Sequence, residues 1–504
     1  MFKPPPIIIG VGAPTIADVV AVARHNAPVQ LSAEAIEAIT AARQIVEALA
    51  ADTTPHYGVS TGFGALATRH IPQDRRVQLQ RSLIRSHAAG SGAEVEREVV
   101  RALLFLRAST LATGRTGVRP ETALAYARLL TDNLTPIVHA HGSLGCSGDL
   151  APLAHCALAL IGEGPVRDAN GTLTTVPDPI TLHEKEGLAL INGTDGMLGM
   201  LVLAIDDLRT LLPTADITAA MSVEGLLGTD RVFARDLHAL RPQHGQQQSA
   251  ANLRALLAGS AIVASHRGPE DTRVQDAYSL RCAPQVAGAA RDTLAHATQV
   301  AERELASAID NPVITPDGRV ESNGNFHGAP VGYVLDFLAI AAADVASMAE
   351  RRTDRFLDVA RNHGLPAFLA DDPGVDSGYM IAQYTQAALV SDMKRLAVPA
   401  SVDSIPSSAM QEDHVSMGWS AARKLRTAVD ALAQVLAIEL LTAARGIQLR
   451  APLAPSPATH AVIDALGTAP GPDRFLAPEI AAATDFVKSG RARSAAEAIT
   501  GALA

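Results

Sequence analysis

The sequence predicts a mainly α fold, with a large central bundle of long helices behind an N-terminal loop-rich domain, on three observations. Apolar residues make up 48% of the chain but aromatics only 3%, and the surplus is alanine and leucine, which suits close-packed helices better than sheets. Residues 284–309, 331–361 and about 415–445 read as three long helices. Between them lie polar loops, 268–282, 310–327 and 401–414, so a bundle would gather chemically dense loops at its ends.

Taken in order, Ile7 to Gly12 is a short β-branched run meeting two glycines, but Thr15 occupies the third position of a dinucleotide fingerprint and that reading is set aside. Ser32 is placed to cap a helix in which Ile36, Ile39, Val46 and Leu49 recur at helical spacing up to Asp52. Residues 57–64, YGVSTGFG, hold three glycines in eight and read as a mobile loop with one tyrosine. Helices are expected over 79–86, ending at the Ser86-His87-Ala88-Ala89-Gly90 stretch, and over 95–111, where Glu94, Glu96 and Glu98 favour the first turn. Residues 162–182 are loop-like with room for a small hairpin, and 186–194 leads into a helix over 197–212. Proline-rich 451–457 joins a small C-terminal helical cap, giving three consecutive domains, 1–200, 201–450 and 451–504.

Lys plus Arg total 42 against 52 Asp plus Glu, a net charge of −10, which disfavours nucleic acid or an anionic membrane as partner and favours a small-molecule ligand. No apolar run reaches roughly 18 residues, the length needed to span a bilayer. The N-terminus lacks a signal-peptide pattern, and three cysteines without framework spacing fit a reducing, cytoplasmic setting.

The densest stretch is His141 to Cys156, HGSLGCSGDLAPLAHC. A glycine turn with Asp149 capping a helix near Pro152 is one reading. A hydrolase nucleophile is a second, and it fails because Asp149 stands where the G-x-S-x-G template needs glycine. The third is backbone cyclisation, in which the Gly148 nitrogen attacks the Cys146 carbonyl and the Ser147 hydroxyl is lost, leaving an electrophilic ring. His139, His141, Cys146, His155 and Cys156 fit none of the usual zinc spacings, so no metal is expected. Elsewhere, Arg281 has the forked guanidinium that grips a carboxylate, Asn311-Pro312 alone would be an ordinary turn, and Glu412 could be a helix cap.

The run from Gly142 to His155 resembles the prosthetic-group signature of the aromatic amino acid ammonia-lyases, and matching motifs extend from about Tyr57 to Pro455. The resemblance implies that Cys146, Ser147 and Gly148 form a 4-methylidene-imidazol-5-one carried by the N-terminal domain, with helix N-termini directed at it and no external cofactor. It implies Tyr57 as a base on a lid loop, with Ser60 where asparagine or threonine is more usual, and Tyr278 beside the reacting amine. Arg281 would hold the substrate carboxylate, Asn192 and Asn311 would lie near ring and substrate, Phe326 would be an apolar wall, and Gln275 would complete the polar lining. In histidine-specific members the positions of Glu412 and His87 face the imidazole, and tyrosine and phenylalanine enzymes usually differ at both. Elimination of ammonia from L-histidine to trans-urocanate is therefore expected, with a tyrosine or phenylalanine lyase or aminomutase as the alternative. Which of Tyr57, Tyr278 and Glu412 takes the β-proton stays open. A homotetramer is also implied, its sites drawing Tyr57, Tyr278 and Phe326 from different subunits.

Overall fold

The computed structural model describes residues 5–268, 271 and 274–504. Its framework is four long helices, Asp195–Gly225, Ala283–Leu305, Ala329–Leu357 and Gly418–Gln448. The first passes through Pro213, where the sequence-predicted span 197–212 stopped. Proline removes one hydrogen bond, but residues 214–224 are almost wholly buried, so tertiary packing outweighs the local break. Ala329–Leu357 and Gly418–Gln448 are long and apolar enough to span a membrane by composition, yet 61% and 83% of their most apolar windows are buried within the protein. Most of each window is thus covered by the protein itself, although Tyr333, Phe337 and Ile340 on the first of the two helices stay exposed.

The chain groups into two units, each assembled from three separated segments: 1–203, 298–336 and 399–423 in the first, and 204–297, 337–398 and 424–504 in the second. Four of the five boundaries between these segments fall inside the long helices, and the fifth, between 398 and 399, lies just past the helix Met380–Leu396. A helix of 31 residues runs about 46 Å, too far to stay within one cluster of contacts.

In the first unit, Ile7–Ile9 pairs in parallel with Val29–Leu31 across the helix Ile16–His25, and among the described residues that sheet has two strands. Thr15, which broke the glycine fingerprint, caps this helix: its Oγ1 accepts from the Asp18 amide at 3.1 Å while the Asp18 carboxylate accepts from the Thr15 amide at 2.9 Å. Ser32 caps Ala33–Ala51 through the Ala35 amide at 3.0 Å, and Ala35, Ile39, Ala42 and Val46 form its buried stripe. Residues 162–182 do contain a hairpin, Val166–Arg167 against Leu173–Thr174. Arg97–Ala112 is buried along nearly its whole length and forms the middle of this unit.

The second unit closes around a buried ion pair. Arg352 donates to both oxygens of Glu439, at 2.5 and 3.0 Å, and Ser222 donates to the same carboxylate at 2.7 Å. The remaining arm of Arg352 donates to the Ser279 carbonyl at 3.2 Å and so fixes the short helix Tyr278–Arg281. The C-terminal helices Pro457–Leu466, Ala477–Lys488 and Arg491–Thr500 belong to this unit.

Candidate active site

The stretch between the strand His139–His141 and the helix Leu150–Leu160 is a compact turn in which Gly142, Gly145 and Gly148 all have positive φ. Four helices begin against it. Leu150–Leu160 follows it directly; Ser416 Oγ and the Gly328 amide donate to the Gly145 carbonyl at 2.7 and 3.2 Å; and the Met417 amide donates to Leu144 at 2.8 Å. These contacts bring the starts of Ala329–Leu357 and Gly418–Gln448 to the turn. Asp149 brings the fourth, accepting from the Gly196 and Met197 amides at 2.9 Å each. Each helix start carries about half a positive charge, so the turn sits in a positive field.

Asp149 does not cap the helix it precedes, as the bland sequence reading had it; its carboxylate caps Asp195–Gly225 and also accepts from Ser143 Oγ at 2.8 Å. Burial pushes its carboxyl up to about 7 despite these donors. The turn is also shaped for a tripeptide with no side chain at its third position. Gly148 has φ +75°, and a Cβ there would stand 2.1 Å from the Gly193 carbonyl oxygen. This cradle fits the cyclised group that the resemblance implies, since the Gly148 backbone is held against Gly193 where nothing bulkier could sit.

The cradle is held from behind by a residue sequence reasoning missed. Fully buried Arg107 donates to the carbonyls of Ala189, Asn192 and Ile309 at 3.0 to 3.1 Å and lies 3.4 Å from Asp195. Lys185 pairs with Asp310 beside it, also fully buried. The available signal was an arginine directly following the apolar run Leu103-Leu104-Phe105-Leu106, for a charge there must find buried acceptors.

Glu412 reaches the turn through its side chain. Its Oε1 accepts from Ser147 Oγ at 3.1 Å, and its Oε2 accepts from Cys146 Sγ at 3.1 Å and Ser407 Oγ at 3.0 Å. Backbone bonds between residues 407 and 412 hold the segment in place. The next helix starts only at Gly418, whose amide is capped by Ser416 Oγ, so Glu412 is not a helix cap.

Ser147, Glu412, Tyr57, His87 and Asn192 line one cavity of about 700 Å³, with Phe63, Leu83 and Ile191 among its apolar walls. His87 ends the helix Arg76–His87 with Nδ1 at 2.9 Å from the Leu83 carbonyl. The Leu83 carbonyl can only accept, so Nδ1 carries a hydrogen, and burial lowers the pKa of the ring, which favours the neutral form with Nε2 as an acceptor. Tyr57 OH accepts from the Gly64 amide at 3.4 Å, and burial raises its phenol above the ordinary value, helped by the Glu412 and Asp310 charges. Asn192 is buried with its Oδ1 unpaired. Arg69 and Ser408, which the sequence did not single out, also line the cavity.

Other expected residues are not among those lining this cavity. Asn311 is off the lining, its Oδ1 accepting from Ser322 Oγ and the Asn323 amide at 3.0 Å each, and half-buried Phe326 is off it as well. Gln275, Tyr278 and Arg281 belong to the second unit. Gln275 is exposed, and Tyr278 is 70% exposed with the Arg281 guanidinium 4.6 Å above its ring. Among the described residues no three His, Cys, Asp or Glu side chains are grouped to hold a metal ion. His155 Nε2 accepts from the Gly90 amide at 3.0 Å, and the His155 ring packs edge-on to His139.

Residues 15–468 match the family described as aromatic amino acid lyase. The histidine ammonia-lyases of Streptomyces avermitilis and Streptomyces coelicolor are 66% and 64% identical to this chain, over 99% of both chains in each case. Among solved structures, the tyrosine aminomutase of Streptomyces globisporus aligns with a TM-score of 0.93 at 36% identity, covering 98% of this chain and 99% of its own. The histidine ammonia-lyase of Trypanosoma cruzi aligns at 0.89 and 37%, covering 98% and 95%.

Proposed function

The chain belongs to the aromatic amino acid lyase family, and from that premise we infer how its own residues serve the reaction. It is a carbon–nitrogen lyase that converts L-histidine to trans-urocanate and ammonia. The family is known for the methylidene-imidazolone group, which here would be formed from Cys146, Ser147 and Gly148. When formed, that group supplies the electrophile that makes the substrate's nitrogen a leaving group. The helix starts around the turn contribute the positive field that favours it.

The observation carrying the histidine assignment is that Glu412 and the free Nε2 of His87 stand on the wall of the cavity that holds Ser147. A carboxylate and a neutral ring nitrogen can both accept hydrogen bonds from an imidazole, and a phenyl ring would leave them unpaired. Tyr57 reaches the same cavity with its phenol held protonated by burial. To take the β-proton it must first lose its own, and the converging helix starts are the charges on hand to favour that. Asn192 offers its unpaired Oδ1 to the substrate ammonium. The test is to offer purified protein histidine, tyrosine and phenylalanine side by side. Urocanate should dominate by at least about 100-fold, the discrimination expected when buried polar groups would otherwise lose their partners. Cinnamate or coumarate appearing faster than urocanate would overturn the substrate while leaving the elimination chemistry standing.

Tyr278, Arg281, Gln275 and Phe326 enter this reading as groups supplied from other copies of the chain in a homotetramer. Exposed Tyr278, with Arg281 against its ring, supports that role because an aromatic left to solvent suits a surface that is later covered. Co-refolding a Tyr278→Phe chain with a Ser147→Ala chain should recover up to about a quarter of the activity, the share statistics allow if each site takes Ser147 from one chain and Tyr278 from another. No recovery, together with a monomeric solution mass, would rule out shared sites.

A further inference from the structure

Cys146 is consumed in the proposed ring only through its backbone, which leaves its buried thiol without a role. That thiol lies 3.1 Å from Glu412 Oε2. Glu412 is held on both sides: Oε2 by Cys146 Sγ and Ser407 Oγ, and Oε1, among the described residues, by Ser147 Oγ alone. Ring closure acts on the two sides differently. The Gly148 nitrogen bonds to the Cys146 carbonyl carbon, and that carbonyl oxygen leaves as water with the amide hydrogens of Ser147 and Gly148. The Ser147 hydroxyl leaves as a second water with the Ser147 Cα hydrogen. Closure thus removes that donor from Oε1 and leaves both donors on Oε2.

We infer that Cys146 is a positioning residue for the reaction, its Sγ–H fixing Glu412 Oε2 so that Oε1, vacated when Ser147 loses its hydroxyl, is presented to the substrate. The inference rests on the reading of Glu412 and of the turn given above. Burial and the Glu412 charge push the thiol up to about 12, so it stays protonated and able to donate at any pH at which the enzyme works. Ser407 alone would fix one oxygen but leave the carboxylate plane free to rotate about it. A second donor on the same atom removes that freedom, and orientation of a reacting group acts on kcat more than on binding.

The test uses the full-length protein with its ring content measured by intact mass, because Cys146→Ala keeps the backbone from which the ring is made. Cys146→Ala should form the ring fully, lower kcat about fivefold and move KM less than about twofold, as loss of one weak donor to a charged group predicts. Cys146→Ser, which keeps a donor, should return kcat to within about twofold of the unmodified protein. In a Glu412→Ala background, Cys146→Ala should have no further effect, a coupling that a general packing role would not produce. Unchanged kcat in Cys146→Ala with full ring content would overturn the inference. So would an undiminished effect in the Glu412→Ala background, or failure of Cys146→Ala to close the ring. An unmodified protein inert toward histidine would instead overturn the site reading itself.

Discussion

Ser147→Ala is expected to lower histidine turnover by at least about 1,000-fold while leaving the fold intact. Among the described residues the hydroxyl makes one hydrogen bond, to Glu412 Oε1, so its loss should change stability by only about 1 kcal/mol. Its chemical role is larger, since without that oxygen to expel the turn cannot become the electrophile on which amine departure depends. The variant should melt within a few degrees of the unmodified protein, show no near-ultraviolet absorbance from a conjugated ring, and keep its full translated mass. Near-normal turnover by Ser147→Ala at full mass would mean that the electrophile lies elsewhere.

Glu412→Gln carries the second large effect. Glutamine keeps the shape and can still accept from Cys146 and Ser407 through its one oxygen, but it brings no charge to an imidazole. Losing a desolvated, charge-assisted hydrogen bond costs about 2 to 4 kcal/mol, so turnover should fall roughly 30-fold to 1,000-fold. His87→Phe should act on selectivity instead. It replaces the acceptor Nε2 by an apolar ring, and the ratio of phenylalanine to histidine turnover should rise by about tenfold or more. Glu412→Gln with wild-type turnover would remove the carboxylate from the reaction, and an unchanged ratio in His87→Phe would remove the imidazole contact.

Features whose cause is local were legible in the sequence. Ser32 was readable as a cap because its hydroxyl needs only an amide three residues on, and the long helices because their periodicity is carried by their own residues. The turn at Cys146 to Gly148 declared itself through three residue types whose combination has a specific chemistry. Tyr57, His87, Ser147, Asn192 and Glu412 were named from five distant segments, and they line one cavity. Features whose cause lies across the fold were not legible. Asp149 caps a helix 46 residues downstream, Arg107 binds carbonyls up to about 200 positions away, and Pro213 is tolerated because of what surrounds it. Tyr278 and Arg281, also named from sequence, are not among the residues that line this cavity and belong to the second unit.

The central claim is that the chain makes its own electrophile at Cys146, Ser147 and Gly148. Its most direct test is the intact mass of the purified, active, unmodified protein, followed by peptide mapping. The account predicts a mass two waters below that of the translated sequence, the deficit confined to the peptide containing residues 146–148. A fully active protein at full translated mass, or a deficit mapped to any other peptide, would contradict it.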